Sequence, residues 1–175
     1  MVIQELKDLF GYPSRKFPKR FSDIIDNLSS HQNIDGDSFE IIFNAYQFGA
    51  GAHQGQKRKS GEPYYNHCIE VAIILSEWGM DKNIVIGGLL HDIIEDTNVT
   101  KQIINDKYGK DITFLVESVT KLSGIRLNSR SHEKAENFMK MFLAFAKDIR
   151  AILIKLADRL HNLRTIAHLD LIKQR

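Results

Sequence analysis

The chain has 175 residues, 43% of them hydrophobic and 26% charged, and its 24 basic against 22 acidic side chains leave a net charge of +2. That length suits one domain, and so small a positive excess argues against a protein built mainly to coat DNA or anionic lipid. A single cysteine, Cys68, excludes an internal disulfide framework, and no run approaches the roughly 20 apolar residues of a membrane span. Residues 1–21 mix charge with short apolar groups and lack a signal-peptide core, so a cytoplasmic protein is expected.

All three prolines (Pro13, Pro18 and Pro63) fall in the first 63 residues, so the rest of the chain reads as helix rather than strand and turn. Residues 1–37 form an N-terminal extension, helical or irregular, closing on a turn-like stretch from Asn33 to Asp37. From Ser38 the pattern settles: Ser38 offers an N-cap, and Phe39, Ile42, Phe43 and Tyr46 recur at helical spacing. Gly49 to Pro63 reads as a helix end and then a Gly-rich basic loop, Gln56-Lys57-Arg58-Lys59-Ser60-Gly61. A second helix is expected from Tyr65 to Trp78, stopped by Gly79. Asn83 to Ile94 (NIVIGGLLHDII) is apolar almost all round, the mark of a helix buried on every side.

Shorter helices are expected at Ile103–Tyr108 and Asp111–Leu122, then a polar loop over Ser123–Ser131. A long helix opens at Ser131 and Lys134 and runs to about Ala146; a last one, capped by Asp148, runs to about Leu169. The expected architecture is an all-α bundle of six to eight helices, with residues 38–175 as the functional domain.

The buried third helix carries His91 and Asp92. An unpaired aspartate among Ile, Leu and Gly costs several kcal/mol, so Asp92 needs a cation, a metal or a proton. The plain alternative is a capped helix end with both side chains turned outward. Glu95 and Asp96 follow, and helical spacing sets His91 beside Glu95 and Asp92 beside Asp96. Three carboxylates and an imidazole within six residues repel one another unless a cation holds them.

On the last helix, Ile149, Ile152, Leu153, Leu156, Leu160 and Leu163 form an apolar face opposite Lys155, Asp158, His161, Asn162 and Thr165. That polar stripe reads as a solvated surface or, given its Asp, His, Asn and Thr, as a cleft wall. His67, just after the basic loop, is a structural histidine or a ligand. With His91, Asp92 and Asp158 it completes two imidazoles and two carboxylates, a set suited to a divalent ion. Arg58 and its neighbouring lysines either grip phosphate or form a solvated basic loop.

Together these residues resemble the HD superfamily of metal-dependent phosphohydrolases, marked by a His, a His-Asp doublet and a distant Asp. More narrowly, the chain resembles the hydrolase domain of the RelA/SpoT family through AHQGQKRKSGEPYYNH (52–67), LLHDIIEDT (89–97), VTKLSG (119–124) and IKLADRLHNLRT (154–165). The likeness spans about Phe39 to Leu169 and implies an HD-domain helical bundle.

The resemblance implies manganese as cofactor, bound by His67, His91, Asp92 and Asp158. It implies that Glu95 and Asp96 position and activate the attacking water. Arg58, Lys59 and Ser60 would then bind the nucleotide, and Asn162 and Thr165 the nucleoside. The implied reaction removes the 3′-pyrophosphate of guanosine tetra- or pentaphosphate, giving GDP or GTP and pyrophosphate. The chain departs from the family at Cys68, where proline usually follows the ligand histidine, and His53 has an orienting role at most.

Competing readings are a phosphohydrolase for another nucleotide, NADPH among them, and a regulatory HD module of an alarmone synthetase. A nucleic-acid binder using Arg15, Lys16, Lys19 and Arg20 with Phe17 and Phe21 is disfavoured by the small net charge. The size is that of small standalone hydrolases of the family, but the chain stops close behind the last motif, so the hydrolase part of a longer bifunctional protein with a C-terminal synthetase domain is the expectation.

Overall fold

The computed structural model describes residues 17–123 and 148–168. The described helices are α1 (Lys19–His31), α2 (Gly36–Ala52), α3 (Tyr65–Glu77), α4 (Lys82–Leu90), α5 (Ile93–Asp96), α6 (Lys101–Ser123) and α7 (Ile149–Arg164), with a final 3-10 turn at Ile166–His168. The only extended pairing among the described residues is an isolated bridge between Lys57 and Pro63, so the fold is all-α, as expected. None of these helices is long and apolar enough to cross a membrane. The expected helix from Ser131 to Ala146 and its preceding loop lie outside the described residues.

Helices α3 and α4 form the centre. α3 packs on α1, α4 and α7, and α4 on α2, α3, α6 and α7. The all-round apolar pattern of α4 has the predicted consequence, because every residue from Ile84 to Leu90 is buried. α1 joins the same core through Phe21, Ile24, Ile25 and Leu28. Phe17 and Phe21 stack edge-on with Phe39 and Phe43, at centroid distances of 4.9 Å for Phe17–Phe43 and 5.6 Å for Phe21–Phe39. Burying rings of this size contributes roughly 1.5–3 kcal/mol each. It also removes the two aromatics that a nucleic-acid reading needs for stacking on bases.

Away from the His-Asp doublet, three local features differ from expectation. α2 is capped by Asp35, whose carboxylate accepts from the Ser38 backbone N–H at 2.8 Å; Ser38 is instead buried, its hydroxyl accepting from Lys82 Nζ at 2.7 Å. α2 also runs through Gly49 to Ala52. A Cβ at Gly49 would sit 2.4 Å from the Tyr65 ring, so this glycine marks a close helix approach and not a helix end.

The third difference is in α7. Its buried residues are Ala151, Ile154, Ala157 and Asp158, whereas Ile149, Leu156 and Leu163 are 59%, 54% and 64% exposed. The small alanines let α7 lie close against α3, α4 and α6, so the helix turns its polar stripe inward. At its start Arg150 clamps α7 to α6, donating to both carboxylate oxygens of Asp111 at 2.9 and 2.7 Å and also to Asp148. Within α6, Gly109 has φ +80°, a backbone that side chains resist, and it divides the two helical stretches expected there.

Candidate functional site

The sequence predicts one helix from Asn83 to Ile94, but the backbone breaks at the His-Asp doublet. α4 ends at Leu90, and Asp92 lies at φ −97°, ψ −1°, in the bridge region. Carbonyls at a helix end lack intrahelical partners. His91 Nδ1 meets one of them, Gly88 O, at 2.8 Å, and as that oxygen can only accept, Nδ1 donates. This anchors the ring and turns Nε2 towards the interior. There it is buried and makes no hydrogen bond, lying 3.1 Å from Asp92 Oδ2 without hydrogen-bond alignment.

His67, in the first turn of α3, meets the doublet from the other side. Its Nε2 lies 3.1 Å from Asp158 Oδ1 and 3.9 Å from Asp92 Oδ2. Asp158 reaches the cluster because α7 packs by its polar stripe. The ligating atoms of His67, His91 and Asp158 all lie within 4.8 Å of one another, and all three residues are buried. Asp92 is held by the Tyr64 hydroxyl, which donates to Oδ2 at 2.8 Å. Asp158 is held by Lys155 Nζ at 2.8 Å and by the Asn162 amide.

Burial opposes ionisation of both aspartates. For Asp92 the neighbouring His91 outweighs it, helped by Tyr64 and His67; for Asp158 the hydrogen bond from His67 does so, helped by His91 and Lys155. Both carboxyls lie well below the usual carboxylate range. Burial also pushes His67 down, against the Asp158 hydrogen bond that raises it. For His91 burial is opposed by Asp92, which wins and holds the ring well above its ordinary value. Two ionised carboxylates and two inward-facing Nε2 atoms in a buried space fit a divalent cation. Mixed imidazole and carboxylate donors suit a first-row metal better than the all-oxygen shell that calcium prefers.

The basic loop adjoins this cluster. Arg58 N donates to Glu62 O, Gly61 N to Arg58 O, and Tyr64 N to Gln56 O, all at 2.9 Å, making a tight hairpin. Arg58, Lys59 and Ser60 line a cavity of about 460 Å³ with Asn162 and Thr165, and Tyr64 connects its wall to Asp92. Arg58 donates to Asn162 Oδ1, and Asn162 Nδ2 donates to Asp158, so a loop cation and a buried carboxylate share one amide. Glu95 and Asp96 are exposed on α5, beside the doublet in sequence, and are not among the residues lining the cavity. Gln56 Nε2 ties the loop to them by donating to the Asp96 carbonyl at 2.6 Å, and its Oε1 lies 2.8 Å from His53 Nδ1.

The structure therefore brings His67, His91, Asp92 and Asp158 together and sets the predicted nucleotide residues in one adjacent cavity. Sequence reasoning gave no role to Tyr64, Gln56 or His161. For His161 a signal existed: with Asp158, Asn162 and Thr165 it keeps i, i+3, i+4, i+7 spacing, one helix face. Burial, with His67 and Arg58 close by, pushes this ring down to about 4.

A model described as the HD domain matches residues 45–175. The chain is 49% identical over 138 residues to a GTP pyrophosphokinase of Myxococcus xanthus, covering 77% of this chain and 18% of that protein. It is 47% identical over 135 residues to a probable guanosine-3′,5′-bis(diphosphate) 3′-pyrophosphohydrolase of Synechocystis, with the same shares. It is also 45% identical over 139 residues to the bifunctional (p)ppGpp synthase/hydrolase SpoT of Escherichia coli, covering 79% of this chain and 20% of that one. The chain thus spans about a fifth of the length of these relatives.

A solved structure described as a metazoan ortholog of SpoT that hydrolyses ppGpp superposes with a TM-score of 0.62 at 28% identity, covering 82% of this chain and 80% of that one. With the His-Asp doublet, the neighbouring His67 and Asp158 and the fold all in place, the chain belongs to the HD-domain family.

Proposed function

We propose that this chain hydrolyses the 3′-pyrophosphate of guanosine 3′,5′-bis(diphosphate), ppGpp, to GDP and pyrophosphate. The observation that carries the reading is the junction of two unlike sites: a buried two-His, two-Asp cluster and a cation-lined cavity, joined by Arg58, Asn162 and Tyr64. The names of the three relatives and of the structural neighbour, all concerned with guanosine polyphosphates or GTP, support the same substrate class.

His67, His91, Asp92 and Asp158 would hold the cation, Mn2+ in this reading. Bound there, it supplies Lewis acidity, acidifying water and offsetting charge on phosphoryl oxygens. Arg58, Lys59 and Ser60 bind the phosphates, and Asn162 and Thr165 orient the nucleoside. Glu95 or Asp96, exposed on α5, takes a proton from the attacking water. The water oxygen bonds to the phosphorus on O3′, the O3′–P bond breaks, and O3′ leaves with a proton as the ribose hydroxyl.

The working unit in this reading is residues 38–175, with 1–37 as an extension that contributes α1 to the core. It serves as the hydrolase segment of a longer synthase/hydrolase, as the relatives' lengths and names suggest, in the cytoplasm, where a reduced Cys68 is at home.

The test is a substrate panel of ppGpp, GTP and NADPH at equal concentration with Mn2+, products resolved by anion-exchange chromatography. GDP and pyrophosphate from ppGpp, with GTP and NADPH untouched, is the expected result. Turnover of NADPH with ppGpp intact would move the assignment to another phosphohydrolase.

A further inference from the structure

Both cluster histidines turn Nε2 inward and use Nδ1 for an outer partner, but the partners differ. His91 Nδ1 donates to a backbone carbonyl, Gly88 O. His67 Nδ1 meets a second imidazole, His161 Nδ1, at 2.7 Å. Only one of these two nitrogens can carry the proton. Arg58 Nη1 approaches the same His161 nitrogen at 3.4 Å, and a guanidinium can only donate. His161 Nδ1 is therefore the acceptor and His67 Nδ1 the donor, and His67 Nε2, 3.1 Å from Asp158 Oδ1, would give up its proton there to present a lone pair to a bound cation. The three rings lie close together, with His67 and His161 4.8 Å apart centroid to centroid and His67 and His91 5.3 Å.

We propose that His161 is a positioning residue for the metal centre, fixing the tautomer and tilt of His67 and coupling it to the substrate loop through Arg58. Outer partners of metal-bound histidines orient the ring and raise its basicity, and losing one typically costs about 10- to 100-fold in metal affinity. Here the outer partner also touches Arg58, which reaches Asp158 by a second path through Asn162. One loop arginine thus bears on two members of the cluster, so phosphate captured by Arg58 and metal held by His67 and Asp158 reinforce each other. The proposal rests on the metal-centre reading above.

The experiment titrates Mn2+ into wild-type protein and the His161→Ala and His161→Asn variants, following the electron paramagnetic resonance signal of free Mn2+. Melting in chelator shows that each variant folds without metal. His161→Ala is expected to weaken Mn2+ binding about 10- to 100-fold and to raise the KM for ppGpp. His161→Asn, which can place Oδ1 where Nδ1 was, is expected to restore most of both.

Equal Mn2+ affinity in wild type and His161→Ala overturns the proposal, and metal-dependent ppGpp hydrolysis by the same samples would show the hydrolase reading standing without it. Weakened binding in Ala, restored in Asn, supports the proposal even if ppGpp is not the substrate. A folded wild type that takes up no Mn2+ removes the metal-centre reading and the role of His161 with it.

Discussion

The Tyr64 hydroxyl donates to Asp92 Oδ2 at 2.8 Å, joining the end of the basic loop to the carboxylate of the HD doublet. The Tyr64 ring is stacked on His53, with centroids 5.2 Å apart, so the hydroxyl is held in place from behind. Tyr64→Phe keeps the stack and removes only the hydrogen bond. Mn2+ affinity is expected to fall at least about 10-fold, with the metal-free melting temperature little changed. Isothermal titration of Mn2+ checks this; undiminished affinity would show that Asp92 needs no such partner.

Gly49 and Tyr65 make the tightest helix approach near the site. Gly49→Ala places a methyl 2.4 Å from a ring that is itself buried, and the ring cannot step aside as a flexible chain end would. Overpacking of this kind costs about 1–3 kcal/mol, more than the gain of roughly 1 kcal/mol from alanine in a helix. Urea unfolding is expected to show a net loss of stability, and a gain would mean that Tyr65 has room to move.

The Arg150 clamp contributes to the acid limb of stability. Hydrogen bonds from Arg150 hold Asp111 and Asp148 below the ordinary carboxylate value. A depressed folded value favours the native state above the unfolded pKa of about 3.9 and loses that contribution as the pH falls through the folded value. Asp111 is half-exposed, so the pair is worth no more than about 1 kcal/mol. Asp111→Asn is expected to lower stability slightly at pH 7 and to flatten its decline below about pH 4. Urea midpoints across that range test it.

Cys68 is fully buried on α3, and burial pushes its thiol above the ordinary value. Reaction with a thiol reagent such as 5,5′-dithiobis(2-nitrobenzoic acid) is expected to be negligible in the native protein and complete in denaturant. Rapid labelling of the native state would mean that α3 opens locally.

Much of the fold was legible from residues alone, whereas no spacing in the sequence shows that His67, His91, Asp92 and Asp158 meet. The all-round apolar run before the doublet predicts a central helix, and α4 is one. Asp148 caps α7 as expected, its carboxylate accepting from Arg150 N at 2.9 Å. The break at His91-Asp92 was not legible, because neither residue is a helix breaker; it depends on His91 meeting the freed Gly88 carbonyl. The orientation of α7 was legible only in part, from a polar stripe whose Asp, His, Asn and Thr suit a cleft wall. Apolar periodicity favours the leucine face, but Ala151 and Ala157 allow a closer approach, and that approach carries Asp158 and His161 inward. Periodicity weighs side-chain hydrophobicity and says nothing of how near two backbones can come. Asp35 won the α2 cap over Ser38 because Lys82, distant in sequence, engages the serine hydroxyl.

Metal-dependent hydrolysis of the alarmone is tested first by pyrophosphate release from ppGpp. Wild-type protein with Mn2+, the same sample after chelation, and Asp92→Ala with Mn2+ would be compared, each verified as folded by circular dichroism. Release from the first alone is the predicted result. A folded, Mn2+-loaded wild type that releases none, or an Asp92→Ala variant that releases as much, would contradict the account.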